Sequence, residues 1–215
     1  MSRIPADYDN PIDYWCYQIS EWVSPYLRSF QATPNQITTW SLCVGLVSAY
    51  ALSRKTEAGV YWFAGLYLVQ FLLDCLDGYY ARRYGMISEV GDWYDHIKDV
   101  VLYFLICYIL VTRYGLPRYV GAMAIVILLP ILQYVYNGCV SVYRSQGHTA
   151  PKVSSLGQVS SMTLGEKICP HRDDPHALRT NLTRLRWVGP GTCALGLCLV
   201  AIYLFYQTRE TSLSN

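Results

Sequence analysis

The chain has 215 residues, of which 53% are hydrophobic and 15% are charged, with a formal net charge of +2. A soluble domain carries about 25% charged residues, so the composition disfavours an ordinary soluble protein and gives no sign of a nucleic-acid partner. The 20 tyrosines and 6 tryptophans are typical of a membrane protein, because these side chains anchor helices at the membrane interface. We therefore expect one compact domain embedded in a lipid bilayer.

Residues 1–36 are predicted to form an N-terminal interfacial segment. Apolar side chains such as Trp15 and Trp22 recur at helical spacing in residues 11–30, with polar residues between them. This pattern favours an amphipathic helix on the membrane surface, and packing against the membrane helices is the alternative. Pro25 is expected to bend or interrupt that helix, because proline lacks a backbone donor. The acidic start of the chain is not typical of a cleaved signal peptide.

Residues 37–215 contain five hydrophobic runs, which predict five membrane-spanning helices and an all-α polytopic transmembrane bundle. The runs cover residues 37–53, 59–73, 100–111, 119–142 and 187–206. The third run is shorter than a bilayer of about 30 Å requires, but a helix from Asp92 to Arg113 would be long enough at about 1.5 Å per residue. A polar loop over residues 145–186 separates the last two runs.

The eight cysteines show no short paired spacing, and we expect them to be reduced, small apolar side chains. Cys169, His171 and His176 lie in the polar loop without a fourth ligand at metal spacing, so a zinc site is not expected there. Asn181 begins an Asn-Leu-Thr glycosylation sequon. The predicted topology leaves this sequon on the cytosolic side and unmodified.

Four aspartates at the edge of the apolar region carry the strongest functional signal. They belong to a motif with regular spacing, whose fixed positions are Asp74, Asp77, Gly78, Ala81, Arg82, Gly91, Asp95 and Asp99. At about 100° per residue, one helix face carries Asp74, Asp77, Gly78 and Ala81. One face of the next helix carries Gly91, Asp95 and Asp99. Acids at membrane depth are costly unless they are paired, hydrated or metal-bound, so the motif predicts a divalent-metal site.

At every fixed position the motif resembles the signature of the CDP-alcohol phosphotransferases, integral membrane enzymes of phospholipid synthesis. Residues 33–38, with the sequence TPNQIT, are similar to the segment that opens the first membrane helix of that family. The resemblance implies transfer of a substituted phosphate from a CDP-linked donor to an acceptor alcohol, with release of CMP. It also implies six membrane helices, so the C-terminal helix pair would be reduced or disguised in this chain.

The resemblance implies a role for each position of the motif. The metal ligands would be Asp74, Asp77, Asp95 and Asp99, and Asp99 would also be the general base towards the acceptor hydroxyl. The positions that would contact the CDP group are Asp74, Gly78, Ala81, Arg82 and Gly91. Two Mg²⁺ or Mn²⁺ ions would stabilise the attacking and leaving oxygens, since carboxylates and phosphates are hard oxygen ligands.

Three residues near the motif are not assigned to metal or CDP binding. Arg83 is interpreted as an interfacial charge, Asp92 as a helix cap or water-facing acid, and His96 as a hydrogen-bond partner of an aspartate. His96 also bears on the substrate, because an Asp95-His96 pair followed by Asp99 resembles the aminoalcohol branch, which passes phosphocholine or phosphoethanolamine to diacylglycerol. The short chain is closer in size to enzymes that join CDP-diacylglycerol to inositol, glycerol 3-phosphate or serine. We favour the first branch and keep the second as the alternative.

Two alternatives to an enzyme are considered, namely a non-catalytic membrane partner protein and a transporter. The transporter is disfavoured because the acids concentrate at one membrane face and do not line several spans. If the segment from Asp74 to Asp99 is cytosolic, most basic residues, Lys98 among them, lie on that side as the positive-inside rule requires. The predicted location is the endoplasmic reticulum, another endomembrane or a bacterial inner membrane, with the active site facing the cytosol. The sequence leaves a homodimer open.

Overall fold

The computed structural model describes residues 4–146 and 163–213. Within these ranges the chain forms α-helices and no β-strand, which confirms the predicted helical bundle. The helices are α1 (Pro11–Ser29), α2 (Pro34–Ser53), α3 (Glu57–Arg83), α4 (Glu89–Tyr114), α5 (Val120–Ser145), α6 (Thr163–Ile168), α7 (Pro175–Leu185) and α8 (Pro190–Leu213). Helix α3 packs against α1, α2 and α8, so it is the centre of the bundle.

Each of the five predicted hydrophobic runs coincides with one helix, namely α2, α3, α4, α5 and α8, although residue 119 precedes α5 and residues 187–189 precede α8. Among the described residues, three helical stretches are long and apolar enough to cross a membrane: Glu57–Arg83, Val120–Ser145 and Pro175–Thr211. Helix α2 has 20 residues and α4 has 26, which correspond to about 30 and 39 Å at about 1.5 Å per residue. These lengths are sufficient for a bilayer, and the crossing of α2 and α4 stays a prediction. In the described residues between α5 and α8, α7 has 11 residues and is too short for a sixth span.

Side-chain caps determine where α2 and α4 begin. The Thr33 hydroxyl accepts a hydrogen bond from the Gln36 amide, and the Gln36 side chain accepts one from the Thr33 amide. This capping box, together with Pro34 at the first helical position, fixes the start of α2. The Ser88 hydroxyl caps α4 by accepting from the Gly91 amide at 3.1 Å. Both caps lie at the end of the bundle that carries the motif aspartates.

The largest hydrophobic core lies at the opposite end of the bundle. It contains the end of α2, the start of α3, the end of α4, the start of α5 and the middle of α8. Phe63, Ile106, Leu110 and Leu204 are fully buried there. The Tyr114 hydroxyl, also buried, donates a hydrogen bond of 2.7 Å to the Leu52 carbonyl. The helices are therefore fixed together by apolar packing at this end.

Helix α1 contacts α3 with one face and exposes a row of large apolar side chains on the other. Tyr17 and Ser20 are buried on the inner face, whereas Trp15 is 67%, Trp22 70% and Phe30 81% exposed. The inner face agrees with the alternative of packing against the other helices. The exposed row suits a membrane surface, and that location stays a prediction.

Helix α1 is not interrupted at Pro25, because it continues from Pro11 to Ser29, and the alternative of a bend there stays a prediction. Proline offers no amide to the carbonyl of Glu21, one turn earlier. That carbonyl instead accepts from Arg83 Nη1 at 3.1 Å and from the Ser24 hydroxyl at 3.3 Å. Side-chain donors therefore replace the missing backbone hydrogen bond.

The prediction that all cysteines are reduced is wrong for one pair, since Cys139 and Cys169 form a disulfide. Their separation of 30 residues gives no sequence signal. Helix α6 lies so close to α5 that a Cβ on Gly138 would overlap the Gly165 carbonyl. This approach brings the two cysteine Cα atoms to 5.1 Å, within the range that a disulfide spans.

Candidate metal centre

The motif aspartates lie where three helices meet. Asp74 and Asp77 are in the second half of α3, and Asp95 and Asp99 are in the first half of α4. The start of α2 packs against both helices and completes the site. The two helix faces predicted from the spacing therefore do face one another across this junction.

Three of the four carboxylates converge. Oxygen atoms of Asp74, Asp95 and Asp99 all lie within 4.8 Å of one another. Asp77 is outside this group of three and is only 4% exposed, and its Oδ2 accepts a hydrogen bond of 2.7 Å from the Thr38 hydroxyl. Thr38 belongs to the TPNQIT segment. The two parts of the sequence that resemble the family therefore contact each other in the structure.

Lys98 is the residue of this site that the sequence analysis missed. Its side chain is fully buried, and its Nζ donates to Asp74 Oδ1 and, at 2.8 Å, to Asp95 Oδ1. The same nitrogen lies 3.2 Å from Asp99 Oδ1 and 3.5 Å from the Ser41 hydroxyl. The available signal was its spacing, because a residue three after Asp95 shares that residue's helix face.

The donor set fits a divalent cation. Carboxylate oxygens are hard ligands of the kind that Mg²⁺ and Mn²⁺ prefer. The converging acids already surround one positive charge, the Lys98 ammonium, which shows that this position stabilises a cation. Four motif aspartates against one lysine leave an excess of negative charge for metal ions to neutralise.

Arg82 and Gly78 lie next to one another on α3. The Arg82 guanidinium is 5.9 Å from the centre of the Tyr17 ring on α1, and a Cβ built on Gly78 would lie 3.0 Å from Arg82 Nη1. Gly78 and Ala81 are both half-buried. Contact of these three residues with a CDP group stays a prediction.

Arg83 holds α1 against α3. Besides the Glu21 carbonyl, its Nη1 donates to the Ser24 hydroxyl at 3.1 Å and to the Tyr79 hydroxyl at 3.2 Å. Its role is therefore a specific contact between two helices, which goes beyond the interfacial charge expected from the sequence.

Gly91 has a packing reason of its own. A Cβ at this position would lie 2.9 Å from Asn35 Oδ1 and 2.9 Å from the Ser88 hydroxyl. Its missing side chain allows the start of α4 to approach the start of α2. A direct role in binding CDP stays a prediction.

His96 has an aspartate partner outside the group of three. Its Nδ1 lies 2.8 Å from the Asp92 carbonyl and 4.0 Å from Asp92 Oδ1, one helical turn earlier. Asp92 is not the cap of α4, because Ser88 occupies that position, and its side chain is 48% exposed. The water-facing interpretation of Asp92 fits this exposure.

Comparison with known proteins agrees with this site. The chain matches the family described as CDP-alcohol phosphatidyltransferase over residues 31–167, a range that includes the whole motif and the TPNQIT segment. The chain belongs to the CDP-alcohol phosphatidyltransferase family. Membership confirms the resemblance that the motif and the TPNQIT segment indicated.

A relative gives a narrower likeness. The chain is 32% identical over 95 residues to Cholinephosphotransferase 1 of Homo sapiens. The matched part is 40% of this chain and 22% of that relative, so the likeness extends over about a fifth of the human protein.

Proposed function

We propose that the chain is a metal-dependent phosphotransferase that passes phosphocholine or phosphoethanolamine from its CDP-linked form to diacylglycerol. The convergence of Asp74, Asp95 and Asp99, with carboxylate oxygens within 4.8 Å of one another, carries the proposal, because it brings oxygen ligands of the family motif together. The choice of branch is supported by His96 directly after Asp95 and by the partial likeness to Cholinephosphotransferase 1.

In this proposal Asp74, Asp77, Asp95 and Asp99 hold Mg²⁺ or Mn²⁺. Bound divalent ions would supply positive charge to the oxygens that enter and leave phosphorus. The buried Thr38 hydroxyl orients the Asp77 carboxylate through its hydrogen bond of 2.7 Å. Gly78, Ala81, Arg82 and Gly91 are proposed to line the CDP group beside these acids.

Asp99 is proposed as the general base. Its side chain is 49% exposed, against 20% for Asp74 and 28% for Asp95. A base must come within hydrogen-bond reach of the proton that it removes. The most accessible carboxylate of the group is therefore the one best able to accept the proton of an incoming hydroxyl.

CMP release by purified protein in detergent with Mg²⁺ or Mn²⁺ tests the reaction and the branch. CDP-choline, CDP-ethanolamine and CDP-diacylglycerol are crossed with diacylglycerol, inositol, glycerol 3-phosphate and serine. We expect release with a CDP-aminoalcohol and diacylglycerol. Release only with CDP-diacylglycerol and a polar alcohol would establish the alternative branch, and silence with every pair would favour a non-catalytic partner protein.

Asp99→Asn tests the role of the base in the same assay. We expect CMP release to fall by more than about a hundredfold, since general bases contribute about 10²–10⁴ in rate. Asp92→Asn is the matched control, because Asp92 is an exposed acid on the same helix outside the group of three. Equal turnover by Asp99→Asn and the native chain would refute the assignment.

We further propose that the acids face the cytosol, where nucleotide-linked donors are available. Arg82, Arg83, Arg172 and Arg179 belong to the basic residues that the predicted topology assigns to that side, in line with the positive-inside rule. The Cys139–Cys169 disulfide weighs against this orientation, because it joins the end of the fourth predicted span to the polar loop that the same topology assigns to the cytosol. The redox state of the pair in cells therefore tests the proposal.

A further inference from the structure

The Lys98 ammonium lies among the three converging carboxylates. Its side chain is fully buried, and the three nearest carboxylates come from two helices. The Ser41 hydroxyl on α2 lies 3.5 Å from the same nitrogen. An ammonium group has three N–H donors, and three aspartate oxygens lie around this one.

The charge of Lys98 changes how many metal ions the acids can neutralise. Metal ligation requires the aspartates as carboxylates. Four of them bring four negative charges, and the Lys98 ammonium neutralises one of these charges. A first divalent ion leaves the group with one negative charge. A second ion would make the group positive, unless an anionic ligand such as a pyrophosphate enters with it.

Lys98 also competes for ligand atoms. Its ammonium interacts with an Oδ1 atom of each of the three converging aspartates. A carboxylate oxygen that accepts a hydrogen bond from an ammonium is a weaker ligand for a metal ion. The positive charges of the ammonium and of a metal ion on the same carboxylates also repel strongly in a partly buried site. Both effects act against simultaneous binding of two ions by the protein alone.

We propose that Lys98 limits the substrate-free chain to one tightly bound divalent ion, so that the second ion binds only together with the pyrophosphate-bearing donor. The inference rests on the proposed metal-dependent function and adds the order in which ions and donor bind. Lys98 acts here as a positioning residue, because it works through the aspartates and through the charge of the site.

Binding of Mn²⁺ to the purified full-length chain, followed by the electron paramagnetic resonance signal of free Mn²⁺, tests the proposal without turnover. We expect one tight Mn²⁺ per native chain and two when CDP is added, with CDP alone titrated as the baseline. For Lys98→Met we expect two without CDP, and a first ion bound at least about tenfold more tightly, because the repelling charge is gone.

Two further variants separate charge from structure. Lys98→Arg keeps the positive charge and is expected to keep the native count. Lys98→Gln keeps hydrogen-bond donors without the charge, and it replaces Lys98→Met in the test if Lys98→Met does not fold. We expect Lys98→Gln to bind two Mn²⁺ ions without CDP. Tryptophan fluorescence on heating reports the fold of each variant, and a purely structural lysine would change that midpoint without changing the Mn²⁺ count.

The outcomes distinguish the two proposals. Two tight Mn²⁺ ions per native chain without CDP, with the same count in the uncharged variants, would overturn the role of Lys98 and leave the metal-dependent function intact. Absence of Mn²⁺ binding from the native chain and from the variants would overturn both.

Discussion

The two ends of the bundle are stabilised by different interactions. At the end that contains Phe63 and Leu110, fully buried apolar side chains fill the space between helices. At the other end a smaller apolar cluster is supplemented by polar side chains that join α2, α3 and α4, as in the contacts of Thr38 with Asp77 and of Lys98 with Asp74. Changes at the apolar end should therefore affect stability alone, whereas changes at the acidic end should affect stability and chemistry together.

Removal of divalent metal should have the largest effect on activity, and this effect should arise at the acidic end alone. We expect a chelator to abolish CMP release, because the negative charge of the acidic end would no longer be neutralised around the reacting phosphate. Added Mg²⁺ or Mn²⁺ should restore release. The measurement is CMP release against free metal concentration, and full activity in excess chelator would contradict the proposed chemistry.

Phe63→Ala should lower stability without changing the chemistry. Truncation of a fully buried phenylalanine costs about 3–5 kcal/mol, because the cavity loses packing contacts that lipid cannot replace. We expect the thermal midpoint in detergent to fall by at least about 6 °C, with an unchanged KM for the CDP-linked donor at temperatures where the variant is folded.

Phe104→Ala is the control for that variant. Phe104 is 67% exposed on α4, so its removal creates no internal cavity. We expect its midpoint to stay near that of the native chain. A raised donor KM in Phe63→Ala, absent in Phe104→Ala, would show that the apolar end is coupled to the site.

Thr38→Val should affect both properties, each to a smaller degree. The substitution removes the hydroxyl that donates to buried Asp77 and costs about 1–3 kcal/mol. CMP release should also fall, since the carboxylate loses its orienting partner. Thr39→Val is the matched control, because Thr39 is exposed and its hydroxyl donates to the Asn35 carbonyl. Equal midpoints and equal turnover for the two variants would contradict the role of Thr38.

The helices were largely predictable from the sequence, and the details that depend on tertiary contacts were not. Hydrophobic runs predicted α2 to α5 and α8, because apolar periodicity is a local property. The continuity of α1 through Pro25 depends on donors from Arg83 and Ser24. The Cys139–Cys169 pair depends on the approach of α6 to α5. No local pattern encodes either contact.

The site shows the same division. Spacing predicted that the aspartates share two facing helix surfaces, and the structure brings Asp74, Asp95 and Asp99 together. Spacing could not tell that Asp77 would turn to Thr38, because that hydrogen bond joins residues 39 positions apart. Lys98 was counted as one basic residue among many, since its burial follows from the packing of α2 on α4 and not from its neighbours in sequence.

The smallest expected effect is that of a reductant on protein taken from cells. If the acidic end faces the cytosol, the reducing environment there opens the Cys139–Cys169 disulfide in cells, and a reductant should leave the thermal midpoint of the extracted protein unchanged. An oxidant should raise the midpoint, because the Cα atoms are 5.1 Å apart and closing the pair restricts a loop of 30 residues in the unfolded chain. Alkylation at lysis followed by mass spectrometry reads the state directly, with the six cysteines outside the disulfide as an internal standard. A fully oxidised pair in cells would mean that this end of the bundle faces an oxidising compartment, and the proposed orientation would then be wrong.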